Sequence, residues 1–400
     1  MISLFFLVDG NLLIDKMHYS NAKQEGNIFK HPKSHKELWD ELYKDKYKVE
    51  YDFYPRGEVI YKVWSDTYIV YKDPCIEKSY IDNRITLYEK SKYTIIDDDR
   101  FVCEACRTNS DIFGAICGDI LGSTFEFEEI KYDNPDEIDL FRDESFFTDD
   151  TVLTLAVVEW LLNDLNNYEE NDYFKEKLAK RMVKYVCKQY KDHQLAYGLN
   201  FWNWCNKMHL TNEYQPPYYS YGNGSAMRVS PVGWYFDTME ETMRFAKISA
   251  DVTHNHPEGQ KGAMCIAAAV FLARKGKSKQ EIKDYLMRAF GYSQLNCSTE
   301  SLRNSCTYST SCQDTVPLAV VAFLESTDFE SAIRIAISFG SDSDTIAAMA
   351  GAIAEAYYKK IPTYIARDFC KYKLDKDART LCKSFFDKIR KRAMITTKED

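Results

Sequence analysis

The sequence predicts a mainly α protein, with a large all-α domain over residues 107–400 and a small α+β module over residues 1–106. Three observations predict it. From Ser110 onward, apolar residues recur at helical spacing or run on without interruption, as in Gly262–Arg274. Period-two alternation, the mark of a half-buried strand, is sparse in that region. The preceding part is rich in Tyr, Lys and Asp and carries short β-like runs. A chain of 400 residues is also longer than one average domain, so two domains are the natural expectation.

The elements follow in order. MISLFFLVDG is apolar only briefly, lacks a basic start and runs into Asp9, which reads as a first strand rather than an export signal. HPKSHKELWDELYKD, residues 31–45, suits one helix. GEVIYKVWSDTYIVYKD, Gly57 to Asp73, reads as two strands joined by a turn at Ser65-Asp66. The triplet Asp97-Asp98-Asp99 marks a solvated linker, and the boundary falls between Asp97 and Ser110. Beyond it, a helix starting near Ser110 is expected to end with Gly122 as a C-cap. Further helices are expected at Thr151–Leu162, Lys175–Tyr190, Gly262–Arg274, Lys279–Phe290, Val316–Leu324, Phe329–Ser338 and Thr345–Tyr358. Two of these belong at the centre of a domain. VLTLAVVEWLL is apolar nearly all round, and IAAMAGAIAEAYY is rich in small residues that permit close helix approach.

Composition narrows the function classes. A net charge of -9 without a basic block is poorly suited to tracking nucleic-acid phosphates. The 12 cysteines are scattered, mostly in apolar runs, which fits buried thiols in a reducing, cytoplasmic setting. Cys103 and Cys106 form a CxxC pair with no second pair to complete a zinc site. No apolar run is long enough to span a bilayer, so no membrane partner is expected. Oligomeric state is not readable from the sequence.

Both central helices begin just after an acidic cluster. These are Thr148-Asp149-Asp150-Thr151 and Asp342-Ser343-Asp344-Thr345. Helix capping explains one Asp in each. It does not explain adjacent carboxylates beside buried helices, which repel one another unless a cation is present. Two such clusters together point to a shared metal site. Carboxylates and hydroxyls are hard oxygen donors, suited to Mg²⁺ or Mn²⁺ rather than zinc, and four Asp suffice for two ions.

Three further pieces carry chemistry. GDILGSTFE, Gly118 to Glu126, places a carboxylate, Glu126, in the loop leading to the first cluster. YGNGSAMR, Tyr221 to Arg228, has two glycines around Asn223 that allow positive φ and can present N–H groups to phosphate oxygens. THNHP, Thr253 to Pro257, precedes a long apolar helix; lacking a third zinc-type ligand, its His254 reads as a ligand contact or a packed residue.

The ordered set GDILGSTFE, FTDDT, GNGSAMR, THNHPEG and GSDSDTIAAMAGAIAEAYY resembles the ADP-ribosylglycohydrolase family, over about the last three quarters of the chain. The resemblance implies that family's all-α fold and a binuclear Mg²⁺ centre held by Thr148, Asp149 and Asp150 on one side and Asp342, Asp344 and Thr345 on the other. It implies that Gly222, Asn223, Gly224 and Ser225, with His254, hold ADP-ribose. Glu126 or Asp150 would be the catalytic acid or base. Ser341 stands where many members have a second glycine beside Gly340, which leaves the ligand set intact.

The implied reaction is hydrolysis of the bond joining ADP-ribose to a modified protein, nucleic acid or small molecule, with ADP-ribose as product. The competing readings are a non-catalytic ADP-ribose-binding or structural protein and a different metal-dependent hydrolase, such as a pyrophosphatase. Nothing in the sequence selects the leaving group or assigns a role to the amino-terminal module.

Overall fold

The computed structural model describes residues 113–165, 170–191 and 197–396, and before them the backbone of eight short strands. The chain separates into two compact units, Met1–Asn109 and Ser110–Asp400.

In the first unit the strands form antiparallel pairs. β1 (Phe5–Val8) pairs with β2 (Asn11–Ile14), and β3 (Lys23–Glu25) with β4 (Ile28–Lys30). β5 (Lys48–Tyr54) pairs with β6 (Glu58–Trp64), and β7 (Tyr93–Ile96) with β8 (Arg100–Cys103). The strand expected at the start is β1. Of the expected hairpin around Ser65-Asp66, the first run is present as the strand Glu58–Trp64, which pairs with the preceding Lys48–Tyr54, with Tyr54 opposite Glu58. Both runs alternate β-branched or aromatic with polar residues, so local sequence did not single out the partner. The second half of that hairpin, the helix expected over 31–45 and the Asp97–Asp99 triplet lie outside the described residues.

The second unit is helical. Its elements are α1 (Gly114–Gly122), α2 (Asp149–Asn163), α3 (Asn171–Lys184), α4 (Leu199–Thr211), α5 (Gly224–Met227), α6 (Ser230–Tyr235) and α7 (Met239–Asp251). They continue with α8 (Pro257–Arg274), α9 (Lys279–Phe290), α10 (Thr299–Ser305), α11 (Cys312–Glu325), α12 (Phe329–Ser338), α13 (Ser343–Tyr358) and α14 (Lys376–Thr396). Short helical turns link α13 to α14. Each helix expected from apolar spacing is present. The first begins at Gly114, capped by extended Phe113, rather than near Ser110. No helix among the described residues is long and apolar enough to cross a membrane.

The core is built around α2 and α13. Every α2 residue from Asp150 to Leu161 is buried, as is every α13 residue from Ser343 to Ala356. Helices without a polar stripe can be stable only when neighbours enclose them on all sides. α13 is enclosed by α1, α11, α12 and α8.

The contact of α1 with α13 is backbone to backbone. Gly114, Gly118 and Gly122 recur every fourth residue and so share one face of α1. A Cβ at Gly118 would lie inside the Ala347 carbonyl, one at Gly114 inside that of Gly351, and one at Gly122 2.6 Å from the Asp344 Cα. Gly122 is therefore not a left-handed C-cap; its φ is not positive, and its role is to admit the start of α13. This approach brings the loop after α1 to the amino end of α13, where the second acidic cluster lies.

Candidate functional site

The first cluster is organised by a side chain on another helix. Thr148 is extended and caps α2, its Oγ1 accepting from the Asp150 N–H at 3.3 Å. Across from it, the buried Asp119 carboxylate of α1 accepts from the N–H and hydroxyl of Thr148 and from the N–H and hydroxyl of Thr151. Burial pushes Asp119 up to about 6, while these same bonds pull it down. Asp119→Asn would replace one of the two acceptor oxygens by an NH₂ group that faces donors. The expected loss is about 2–3 kcal/mol of stability, read as a lower denaturant midpoint. An unchanged midpoint would show that these bonds do not hold α2 to α1.

With Thr148 as the cap, Asp149 and Asp150 are not needed for capping. Asp342 departs from capping altogether. It occupies the N-cap position of α13 yet makes no capping bond, whereas Ser278, Ser311 and Asp328 cap α9, α11 and α12 with their side chains. Asp342 Oδ2 instead accepts from Asn223 Nδ2 at 2.7 Å. Asp344 Oδ1 accepts from the Thr345 N–H at 2.8 Å, and Thr345 Oγ1 donates to Asp150 Oδ2 at 3.0 Å. That last bond joins the two clusters across 195 residues of sequence.

Glu126, in the loop after α1, closes the group. One oxygen each from Glu126, Asp342 and Asp344 lie within 4.8 Å of one another. These three, with Asp149, Asp150 and Thr345, line one cavity of about 560 Å³. Burial is the largest cause raising every carboxylate here; neighbouring carboxylates add to it at Glu126, Asp149, Asp150 and Asp344, while at Asp342 hydrogen bonds from Asp344 and Asn223 pull the other way. Glu126 is pushed up to about 8 and Asp342 to about 6, while Asp149, Asp150 and Asp344 are raised well above the usual range. Asp150 Oδ1 is buried with no hydrogen-bond partner among the described residues. Converging carboxylates and one buried oxygen left unmatched form a set that a hard divalent cation would complete, with the basic side chains of Arg228 and His254 also among the residues lining the cavity. Thr148 does not border the cavity, but its hydrogen goes to Asp119, which leaves its oxygen as an acceptor only.

The opposite wall comes from Gly222, Asn223, Gly224 and His254. The sequence allows positive φ at the two glycines, but neither is left-handed. The missing side chain at Gly224 makes room for the imidazole, since a Cβ there would lie 3.1 Å from His254 Nε2, while one at Gly222 would stand in ordinary contact at 3.5 Å. Ser225 needs correction too. It is fully buried, and its hydroxyl donates to the Gly259 carbonyl at 2.8 Å, which fastens the loop to α8 instead of facing the cavity. The rim carries exposed Phe127, Leu199 and Tyr308.

The sequence reading did not assign Asp119, Arg228, Leu199 or Tyr308. Asp119 had a signal, a lone carboxylate in an otherwise apolar helix. Arg228 had one in its position within GNGSAMR. Leu199 and Tyr308 had none, because only the fold brings them to the rim.

The sequence profile of ADP-ribosylglycohydrolase matches residues 110–393. ADP-ribosylhydrolase ARH3 of Gallus gallus is 27% identical over 316 residues, spanning 61% of this chain and 83% of that protein. ARH3 of Mus musculus is 28% identical over 312 residues, spanning 61% and 82%. A solved ADP-ribosylglycohydrolase-related protein complex has a chain that superposes with a TM-score of 0.53 at 20% identity, covering 71% of this chain and 99% of the other, a likeness of fold.

Proposed function

The chain belongs to the ADP-ribosylglycohydrolase family and is a hydrolase of glycosyl bonds, and from this premise we propose that it releases ADP-ribose from a modified target by Mg²⁺-dependent cleavage at the anomeric carbon of the distal ribose. The observation that carries the reading is the convergence of Glu126, Asp342 and Asp344 beside the Thr345–Asp150 bond.

Asp149, Asp150, Asp342, Asp344, Thr148 and Thr345 would hold one or two Mg²⁺ ions, with Mn²⁺ as the substitute. Bound there, the cation offsets negative charge and orients ribose hydroxyls and water. Asn223 fixes Asp342 by its 2.7 Å bond, and Thr345 fixes Asp150. Gly222 and Gly224 let the sugar-phosphate chain approach the loop closely. Asp150 has one oxygen engaged by Thr345 and the other closed off from solvent, so it suits a ligand better than a base. Glu126 is half-buried at the open side, and it would take the proton from the attacking water. The buried thiols of Cys117, Cys205, Cys265 and Cys312 fit a reducing, cytoplasmic setting.

The test is incubation with arginine-, serine- and nucleobase-linked ADP-ribose, with and without Mg²⁺. Free ADP-ribose from at least one substrate, only with the cation, is expected. AMP as the product would indicate a phosphoanhydride hydrolase, and binding without any product would indicate a non-catalytic role. Glu126→Gln is expected to lower kcat by about a hundredfold or more with little change in KM. An unchanged kcat would remove Glu126 from the proton transfer.

A further inference from the structure

Arg228 is fully buried, yet no carboxylate meets it among the described residues. Its Nη2 donates to the Ser249 carbonyl at 2.9 Å and to Thr253 Oγ1 at 3.0 Å. Its Nε and Nη1 have no partner among the described residues. Thr253 is itself fully buried, and its Oγ1 lies 2.7 Å from His254 Nδ1. The Thr253 hydroxyl has one hydrogen to give and already accepts from the guanidinium. Among the described residues the acceptor left for that hydrogen is His254 Nδ1. The ring proton then resides on Nε2, the atom that faces Gly222 and Gly224 in the cavity.

We propose that Arg228 and Thr253 are positioning residues that hold His254 as the neutral Nε2–H tautomer, so that Nε2–H donates to an oxygen of bound ADP-ribose at the glycine loop. This rests on the reading of the cavity as an ADP-ribose site. The arrangement has a chemical logic. Both ring nitrogens of an imidazolium are donors, so protonation would set an N–H against the Thr253 hydroxyl and break the relay. Burial, and then the adjacent guanidinium charge, keeps His254 well below the usual histidine range, so the ring stays neutral. A donor fixed before the ligand arrives loses no further freedom on binding. The glycines complete the device, because any Cβ at position 224 would crowd Nε2.

The test uses the full chain, with ¹⁵N-labelled histidine and free ADP-ribose as the probe. Long-range ¹⁵N–¹H spectra of the protein without ligand should show His254, assigned by loss of its signals in His254→Gln, as the Nε2–H tautomer. Thr253→Val keeps the shape but removes the hydroxyl. It should give mixed tautomers and an ADP-ribose Kd raised about tenfold, the size of one lost hydrogen bond. Thr253→Ser restores the hydroxyl and should return both readouts toward the starting protein, which separates the relay from a packing effect of Thr253→Val. An Nδ1–H tautomer in the starting protein overturns the relay, and so does a Thr253→Val protein that binds ADP-ribose undiminished. If the starting protein fails to bind ADP-ribose at all, the site reading falls, while the tautomer spectra still decide the relay independently.

Discussion

Asp342→Asn is expected to lower Mg²⁺-dependent turnover by about a thousandfold, the scale of several kcal/mol of lost electrostatic stabilisation, while leaving the cation-free protein as stable as before or more so. Asn matches Asp in size, caps a helix about equally well and can still accept the bond from Asn223 through its amide oxygen. What it removes is one ligand charge. Asp342 has a folded-state pKa raised from 3.8 to about 6, so the folded protein binds more protons than the unfolded chain between those values. Its contribution in the absence of cation therefore turns unfavourable as pH rises through that window. Above about pH 6 a neutral Asn escapes that penalty, and the melting temperature of the cation-free variant should hold or rise. A cation at about a hundred times its Kd adds about 2.7 kcal/mol to a protein that binds it only when folded. That increment, visible as a melting shift on adding Mg²⁺ to the starting protein, should shrink or vanish in the variant. Normal turnover together with a full Mg²⁺ shift would take Asp342 out of the cation site.

The same residue shows what the sequence could and could not convey. Paired carboxylates before two all-apolar helices were legible as a conflict between burial and charge, and the structure brings the two pairs to one cavity. The helices were legible for the same reason, since a run as apolar as Val152–Leu162, broken only by Thr154 and Glu159, has no arrangement except a central one. The bond from Thr345 to Asp150 was not legible, because it depends on the packing of elements far apart in the chain. Asp119 was visible as an isolated charge, but its four donors come from the cap of another helix.

Glycine was read locally twice, each time in the same way. Positive φ is the most local reason for a glycine, so Gly122 read as a C-cap and Gly222 and Gly224 as positions where positive φ is allowed. None of the three has a positive φ; at Gly122 the Asp344 backbone takes the space of a side chain, and at Gly224 the His254 ring crowds it. A close approach between elements leaves no mark on local sequence, except the repeat of small residues at one helical face. In α1 that repeat was present and is the basis for the remaining expectation.

Gly118→Ala should destabilise the protein by more than about 3 kcal/mol, enough to remove a large fraction of the stability of an ordinary domain. The sign is the informative part. In the interior of a helix, Ala is normally more favourable than Gly by about 0.5–1 kcal/mol, so propensity alone predicts a stabler protein. Here the added methyl would overlap the Ala347 carbonyl and approach the Ala348 nitrogen at 2.7 Å. Those atoms are backbone inside a fully buried helix and cannot rotate away, so α1 and α13 must separate. Gly198→Ala is the control: nothing lies within 4 Å of its added Cβ, and its stability should stay within about 0.5 kcal/mol. Gly122→Ala should behave differently from both. Its methyl would press on the Asp344 Cα at 2.6 Å and on the Ser343 carbonyl at 2.7 Å, at the last turn of α1 and the first of α13, so that separation there opens one end of the contact and not its middle. A smaller loss of stability is expected there, with a larger loss of Mg²⁺ affinity, because the residue displaced is one of the proposed ligands. Denaturant midpoints and Mg²⁺ titrations of the three variants would separate the effects. If Gly118→Ala proves as stable as the starting protein, backbone contact between α1 and α13 is not what sets the geometry of the site.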